Sequence, residues 1–181
     1  MTQKIFQRVL PIVLAATLGS FAVGAQDLHA TGRERFYALS RLAKNAFDFG
    51  DMGRAEQYAK ELLLAAPQYP KDWNYGNTIY YGNMVIGRVA LRRDHNVILA
   101  KRSLLASAAT PGSPQLESFG PNMSLAKDLL ELGERDTVLE FFTLCRKFWT
   151  FVPPSGGNML DQWTGIVKDG GMPEFGANLK Y

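Results

Sequence analysis

The sequence predicts an all-α chain: a short α-solenoid of about three antiparallel helix hairpins with a C-terminal capping helix, preceded by a signal peptide. Three observations carry this expectation. Apolar residues recur three and four apart, which places them on one face of a helix. Turns rich in Gly, Pro, Asp and Asn separate those runs. No stretch shows the strict alternation of a half-buried strand. With 181 residues, 46% of them hydrophobic and 20% charged, the chain has the composition of one globular domain with a single core.

Residues 1–25 have the three parts of an export signal. Lys4 and Arg8 give a positive start, 9–21 is mostly apolar and uncharged, and Ala22-Val23-Gly24-Ala25 places small residues before a cut after Ala25. The stretch from Val9 to Ala25 covers 17 residues and is broken by Pro11, Gly19 and Gly24. It falls short of the ~20 residues that span a bilayer, so cleavage is expected in preference to a retained anchor. No later segment is long and apolar enough to span. The expected location is therefore periplasmic or secreted, with a flexible start at 26–32, a helical domain at 33–150, and a linker, capping helix and tail at 151–181.

The formal charge is +3, but Lys4 and Arg8 belong to the signal, which leaves +1 for the exported body. A general nucleic-acid binder needs a clear excess of Lys and Arg to displace counterions, so nucleic acid is not an expected partner.

The first hairpin pairs a helix over 33–48, with Phe36, Leu39, Leu42, Ala43, Ala46 and Phe47 on its stripe, with one starting near Met52. The second helix carries Ala55, Tyr58, Ala59, Leu62 and Leu63 and stops before Pro67, which cannot continue it. The next pair is expected at 77–91 and 97–108 around a turn at 93–96, and the third at 122–132 and 135–149 around Gly133-Glu134. Loops are expected at 67–76 and 109–121. In the tail, Asn158 is placed to cap a short helix with Leu160, Trp163, Ile166 and Val167 on one face. Residues 172–181 are expected to be extended, either docked by Phe175 and Tyr181 or loose.

The first hairpin resembles a tetratricopeptide repeat in detail. Leu39, Leu42, Ala43, Gly50-Asp51, Ala55 and Pro67 stand where that family's ~34-residue unit wants its apolar, small, turn and proline residues. Small side chains at Ala43 and Ala55 let two helices approach, and Gly50 supplies the tight turn. The second unit keeps Ile86-Gly87, though its turn at Asp94-His95-Asn96 lacks Gly and is one residue longer. The third keeps Leu125-Ala126 and Gly133-Glu134, with Val138 in place of a small residue. The resemblance covers 33–150, and it extends to small exported bacterial repeat proteins without carrying a substrate.

Such repeats line a concave groove with the first helix of each pair. The resemblance places Lys44, Arg88 and Lys127 at equivalent groove positions, with Tyr37, Tyr81 and Arg92 beside them and Asp48 and Glu131 opposing. A row of cations implies a protein or peptide partner with an anionic segment or a C-terminal carboxylate. The carboxylate-gripping members of the family also use groove asparagines, which this row lacks; the same cations also serve as an ordinary solvated helix face.

Other chemistry is sparse. His29 and His95 have no second ligand at metal spacing and no orienting partner, so no metal, cofactor or catalytic histidine is expected. Glu131 and Glu134 flank a helix end and are more simply solvated. Cys145 lies on an apolar stripe, either as a packing thiol or as the source of an intermolecular disulfide. The aromatics Trp73, Tyr75, Tyr80 and Tyr81 either fill the loop between the first two hairpins or leave Tyr75 or Tyr81 as a stacking surface. The expected function is an exported, non-catalytic binding scaffold. The alternatives are an enzyme or small-ligand protein with a cleft lined by Tyr81, Trp149 and Trp163, and a purely structural part of an envelope complex.

Overall fold

The computed structural model describes residues 30–150 and 158–180. The expected export signal, His29, the expected linker at 151–157 and Tyr181 lie outside the described residues. Among those described there are eight α-helices, two short 3-10 turns and no strand. No helix there is long and apolar enough to cross a membrane.

Helix α1 (Gly32–Asp48) buries Phe36, Leu39, Leu42, Ala43 and Phe47. It turns through Gly50, whose positive φ of 82° suits a residue without Cβ. Asp51 then caps α2 (Met52–Ala65), its carboxylate accepting the Arg54 N–H at 3.0 Å. Ala55, Ala59 and Leu62 of α2 are fully buried against α1 and the following helix. A 3-10 turn (Ala66–Gln68) leads out.

Helix α3 (Tyr75–Arg92) is the shared wall of the molecule. Val85 and Val89 face the α1–α2 cluster, while Tyr80 and Met84 face the larger cluster that fills the rest of the chain. Close packing on both sides requires small residues. A methyl group at Gly87 would lie 2.3 Å from Leu125 Cδ2, and one at Gly82 2.7 Å from Leu63 Cγ.

Helix α4 (Val97–Ala108) is capped by Asn96, which accepts the Leu99 N–H at 2.9 Å. Helices α6 (Ser124–Glu131) and α7 (Arg135–Cys145) both pack on α4. Helix α8 (Met159–Lys168) lies on α7 and buries Leu160, Trp163 and Val167. Its cap is Asn158, as the sequence suggested, with Oδ1 accepting from the Leu160 N–H at 2.8 Å.

Four expectations need correction. The 109–121 loop contains a helix, α5 (Pro114–Phe119). Ser113 caps it and Pro114 pre-sets its first φ, a start signal that six residues are too few to reinforce with periodicity. Helix α3 begins at Tyr75, so Tyr75 belongs to a helix and not to the preceding loop. Ile166 is exposed, off the buried stripe of α8. The 172–180 segment is docked and not fully extended: Phe175 packs edge-on against Trp163 at 5.0 Å, and Gly176–Leu179 form the second 3-10 turn.

Gly165, on the exposed side of α8, has nothing within 4 Å of where a methyl group would lie. Gly165→Ala should therefore raise stability by about 0.5–1 kcal/mol, by restricting the unfolded chain. The measurement is a higher urea midpoint at unchanged slope; a lowered midpoint would contradict the open surroundings of this residue.

Candidate functional site

A cavity of about 440 Å³ opens between α1, α3, the start of α6 and the C-terminal segment. Three residues expected in a groove meet there: Lys44 from α1, and Tyr81 and Arg88 from α3. Phe47, Met84, Val85 and Leu179 give it an apolar floor, while Ser40, Arg41, Asp48 and Lys180 add polar groups.

The cations of this region carry acidic partners. Lys44 Nζ lies 2.6 Å from Asp48 Oδ2, one helical turn away. Lys127 pairs in the same way with Glu131. Arg88 Nε faces Asp128 Oδ2 at 3.6 Å across the α3–α6 boundary. That distance is too long for a hydrogen bond, and both atoms are buried without another hydrogen-bond partner. The Arg88 guanidinium also lies 4.3 Å from the centre of the Phe47 ring, and that of Arg92 lies 5.3 Å from it. Burial pulls Arg88 below the ordinary arginine range, against the attraction of Asp128. Burial likewise pushes the Asp128 carboxyl up, against the attraction of Arg88 and Arg92. Tyr81, half-buried on the same wall, has its phenol pushed up by desolvation.

The C-terminal segment supplies one wall. Asn178 donates its side-chain amide to the Phe119 and Pro121 carbonyls at 3.2 and 2.9 Å, and its own carbonyl accepts the Met123 N–H at 2.7 Å. These bonds hold Leu179 and Lys180 at the cavity mouth.

Other expected groove residues fall elsewhere. Tyr37 lies two turns before Lys44 on α1, about 10 Å along the axis, and lines a different cavity with Trp73. Lys127 does not line the groove cavity, and Arg92 reaches only its rim by way of Phe47. The aromatic cluster divides: Tyr80 is buried and donates to the Asn122 carbonyl at 2.6 Å, whereas Trp73 is exposed. Trp149 and Trp163 do not line an open cleft; they pack on each other in the core, ring centres 5.7 Å apart. His95 sits at an exposed turn with φ +50°. Cys145 is free and fully buried, its thiol raised well above its ordinary range by desolvation, which suits packing and not thiolate chemistry.

The sequence reading missed Asp128, Ser40 and the tail wall. Asp128 is separated from Arg88 by 40 positions, and only the packing of α6 on α3 brings them together. No protein-family model matches the chain, nor does any curated protein or solved structure.

Proposed function

We propose that the chain is a non-catalytic binding module whose groove between α1, α3 and α6 holds a protein or peptide segment bearing an acidic side chain or a free carboxylate. One observation carries the reading: Lys44, Tyr81 and Arg88 converge on a single cavity, where Arg41 and Lys180 add further cations above an apolar floor. An acidic group entering there would meet these cations while the floor buries the apolar part of the guest. The arrangement of the hairpins as a tetratricopeptide-like solenoid, and its export to the periplasm or medium, belong to the same proposal.

A second reading rests on the tail. Leu179 and Lys180 narrow the cavity mouth, and about 440 Å³ is the size of a small-molecule pocket. A small amphipathic acid would then replace the peptide.

The test is an array of synthetic peptides with free or amidated carboxyl ends, probed with the wild type and with a Lys44→Glu/Lys180→Glu variant, and completed by a set of small aliphatic and aromatic acids. Both lysines are surface residues, so the variant should fold. The proposal expects a preference for acidic or free-carboxyl peptides and at least about tenfold weaker binding by the variant. Binding confined to small acids selects the second reading. Equal capture of amidated neutral peptides by both proteins would refute the first.

A further inference from the structure

The second cavity, about 670 Å³, lies beside the turn that leads into α3, away from the groove. Its centre is an aromatic platform. The rings of Trp73 and Tyr37 stack with centres 5.7 Å apart and planes 20° apart, yet Trp73 stays 54% exposed and Tyr37 36%. Trp73 is the exposed member of the chain's three tryptophans, since Trp149 and Trp163 are core residues.

The platform is fixed from behind. The Tyr37 hydroxyl donates to Asp72 Oδ2 at 2.7 Å, and Asp72 Oδ1 accepts the Asn74 N–H at 2.9 Å. The Asp72 side chain is only 5% exposed. Phe36, buried in the α1–α2 hairpin, packs against Tyr37 at 5.6 Å and Tyr69 at 4.6 Å. The hydrogen bond to Asp72 raises the Tyr37 phenol above its ordinary range and keeps it a donor. An aromatic surface held this firmly loses little freedom when something lands on it.

The rim decides what that is. Arg33, Gln68 and Lys71 are exposed around the rings. An apolar protein surface would strand these polar groups on binding. A cationic guest would meet Arg33 and Lys71, and the Tyr69 ring already has the Arg33 guanidinium 5.7 Å from its centre. The one acid, Asp72, is engaged by Tyr37 and Asn74. Arg33 approaches it only loosely, at 3.9 Å, with a side chain 66% exposed. A sugar ring fits both features: one face presents C–H groups to an aromatic surface, and its edge presents hydroxyls to polar side chains. The cationic rim adds a preference for a carboxylate on that sugar.

We propose that this cavity is a second binding site, for a uronic-acid unit of an acidic glycan. Trp73 is the stacking platform, Tyr37 and Asp72 hold it in place, and Arg33 and Lys71 are the partners of the sugar carboxylate.

The test titrates the full chain with oligomers of galacturonate, glucuronate and mannuronate, reading calorimetry and tryptophan emission. Neutral cello-oligosaccharides and poly-glutamate serve as comparisons. At least one uronate oligomer should bind, with a change in tryptophan emission, and should bind more tightly than the neutral sugar. Trp73→Ala should weaken it at least about tenfold while leaving the melting temperature and the circular dichroism unchanged. Arg33→Gln/Lys71→Gln should weaken it and flatten its dependence on salt. The proposal fails if no uronate oligomer binds up to about 10 mM, if poly-glutamate binds as well, or if Trp73→Ala binds like the wild type. Self-association that Trp73→Ala abolishes, without sugar binding, would mark a protein interface and equally overturn it.

Discussion

Gly76→Ala should be the most damaging conservative substitution in the chain, lowering stability by about 3 kcal/mol and the melting temperature by about 10 °C. The added methyl would lie 1.7 Å from the Gly112 carbonyl oxygen and 2.5 Å from its carbon. These are backbone atoms, which cannot rotate away. The loop cannot retreat either, because a Cβ on Gly112 itself would already be 2.7 Å from Phe148 Cβ. The site is tied from both sides: Thr110 donates its hydroxyl to the Gly76 carbonyl at 2.9 Å, and Ser113 donates to Asn77 Oδ1 at 2.6 Å. The favourable effect of Ala on helix propensity, about 1 kcal/mol, is too small to compensate. Urea unfolding of Gly76→Ala beside Gly165→Ala provides the contrast, since the same chemical change should destabilise at one site and stabilise at the other. A loss below about 1 kcal/mol at Gly76 would mean that α3 and the 109–113 connection do not approach as closely as described.

The contrast between these glycines also shows where sequence reasoning stops. Helices α1 and α2 were legible because each carries one apolar stripe and ends at a turn residue, Gly50 in one case and Pro67 in the other. The small residues Ala43, Ala55 and Gly87 were legible as contact points, and the lack of room for a methyl group between Gly87 and Leu125 fits that reading. Gly76 was not, because the atom it meets belongs to a loop 36 positions on, and loop conformation leaves no periodic trace. Helix α5 escaped because periodicity needs more than six residues, although Ser113-Pro114 was a readable cap. At the candidate site the repeat register implied by the resemblance brought Lys44, Tyr81 and Arg88 together. It did not show that Asp128 would face Arg88, or that residues 179–180 would form a wall, since both depend on tertiary packing. Nor did it separate Tyr37 from Lys44. Residues seven apart share a helix face, and only the loop carrying Asp72 and Trp73 gives Tyr37 a cavity of its own.

The Arg88–Asp128 pair yields the second large effect, and it separates stability from binding. Arg88→Met should destabilise by about 3 kcal/mol near neutral pH, because it removes the nearest counter-charge from the partly buried Asp128 carboxylate and leaves only the weaker attraction of Arg92 and Lys127. Asp128→Asn should cost less, about 1–2 kcal/mol, since Arg88 keeps its contact with the Phe47 ring. The double variant Arg88→Met/Asp128→Leu should return close to the wild type, with a coupling of about 4 kcal/mol, as expected when two desolvated charges are replaced by apolar groups. The pH dependence follows from the direction of the Asp128 shift. Its folded value is raised above the ordinary aspartate value of 3.8. Asp128 therefore contributes stability that is full below that value and is lost as pH rises through the raised one. The wild type should lose stability relative to Asp128→Asn as pH rises through that interval, so the gap between their denaturant midpoints should narrow. In the Arg88→Met background the loss should be steeper, because removing the nearest cation raises the carboxyl further. If the double variant is no better than Arg88→Met, the two groups do not act as a pair and the reading of the groove wall is wrong. If it is stable and folded but loses the acidic peptides that the wild type captures, Arg88 is kept in the protein for its guest, at a cost to the fold that the apolar replacement removes.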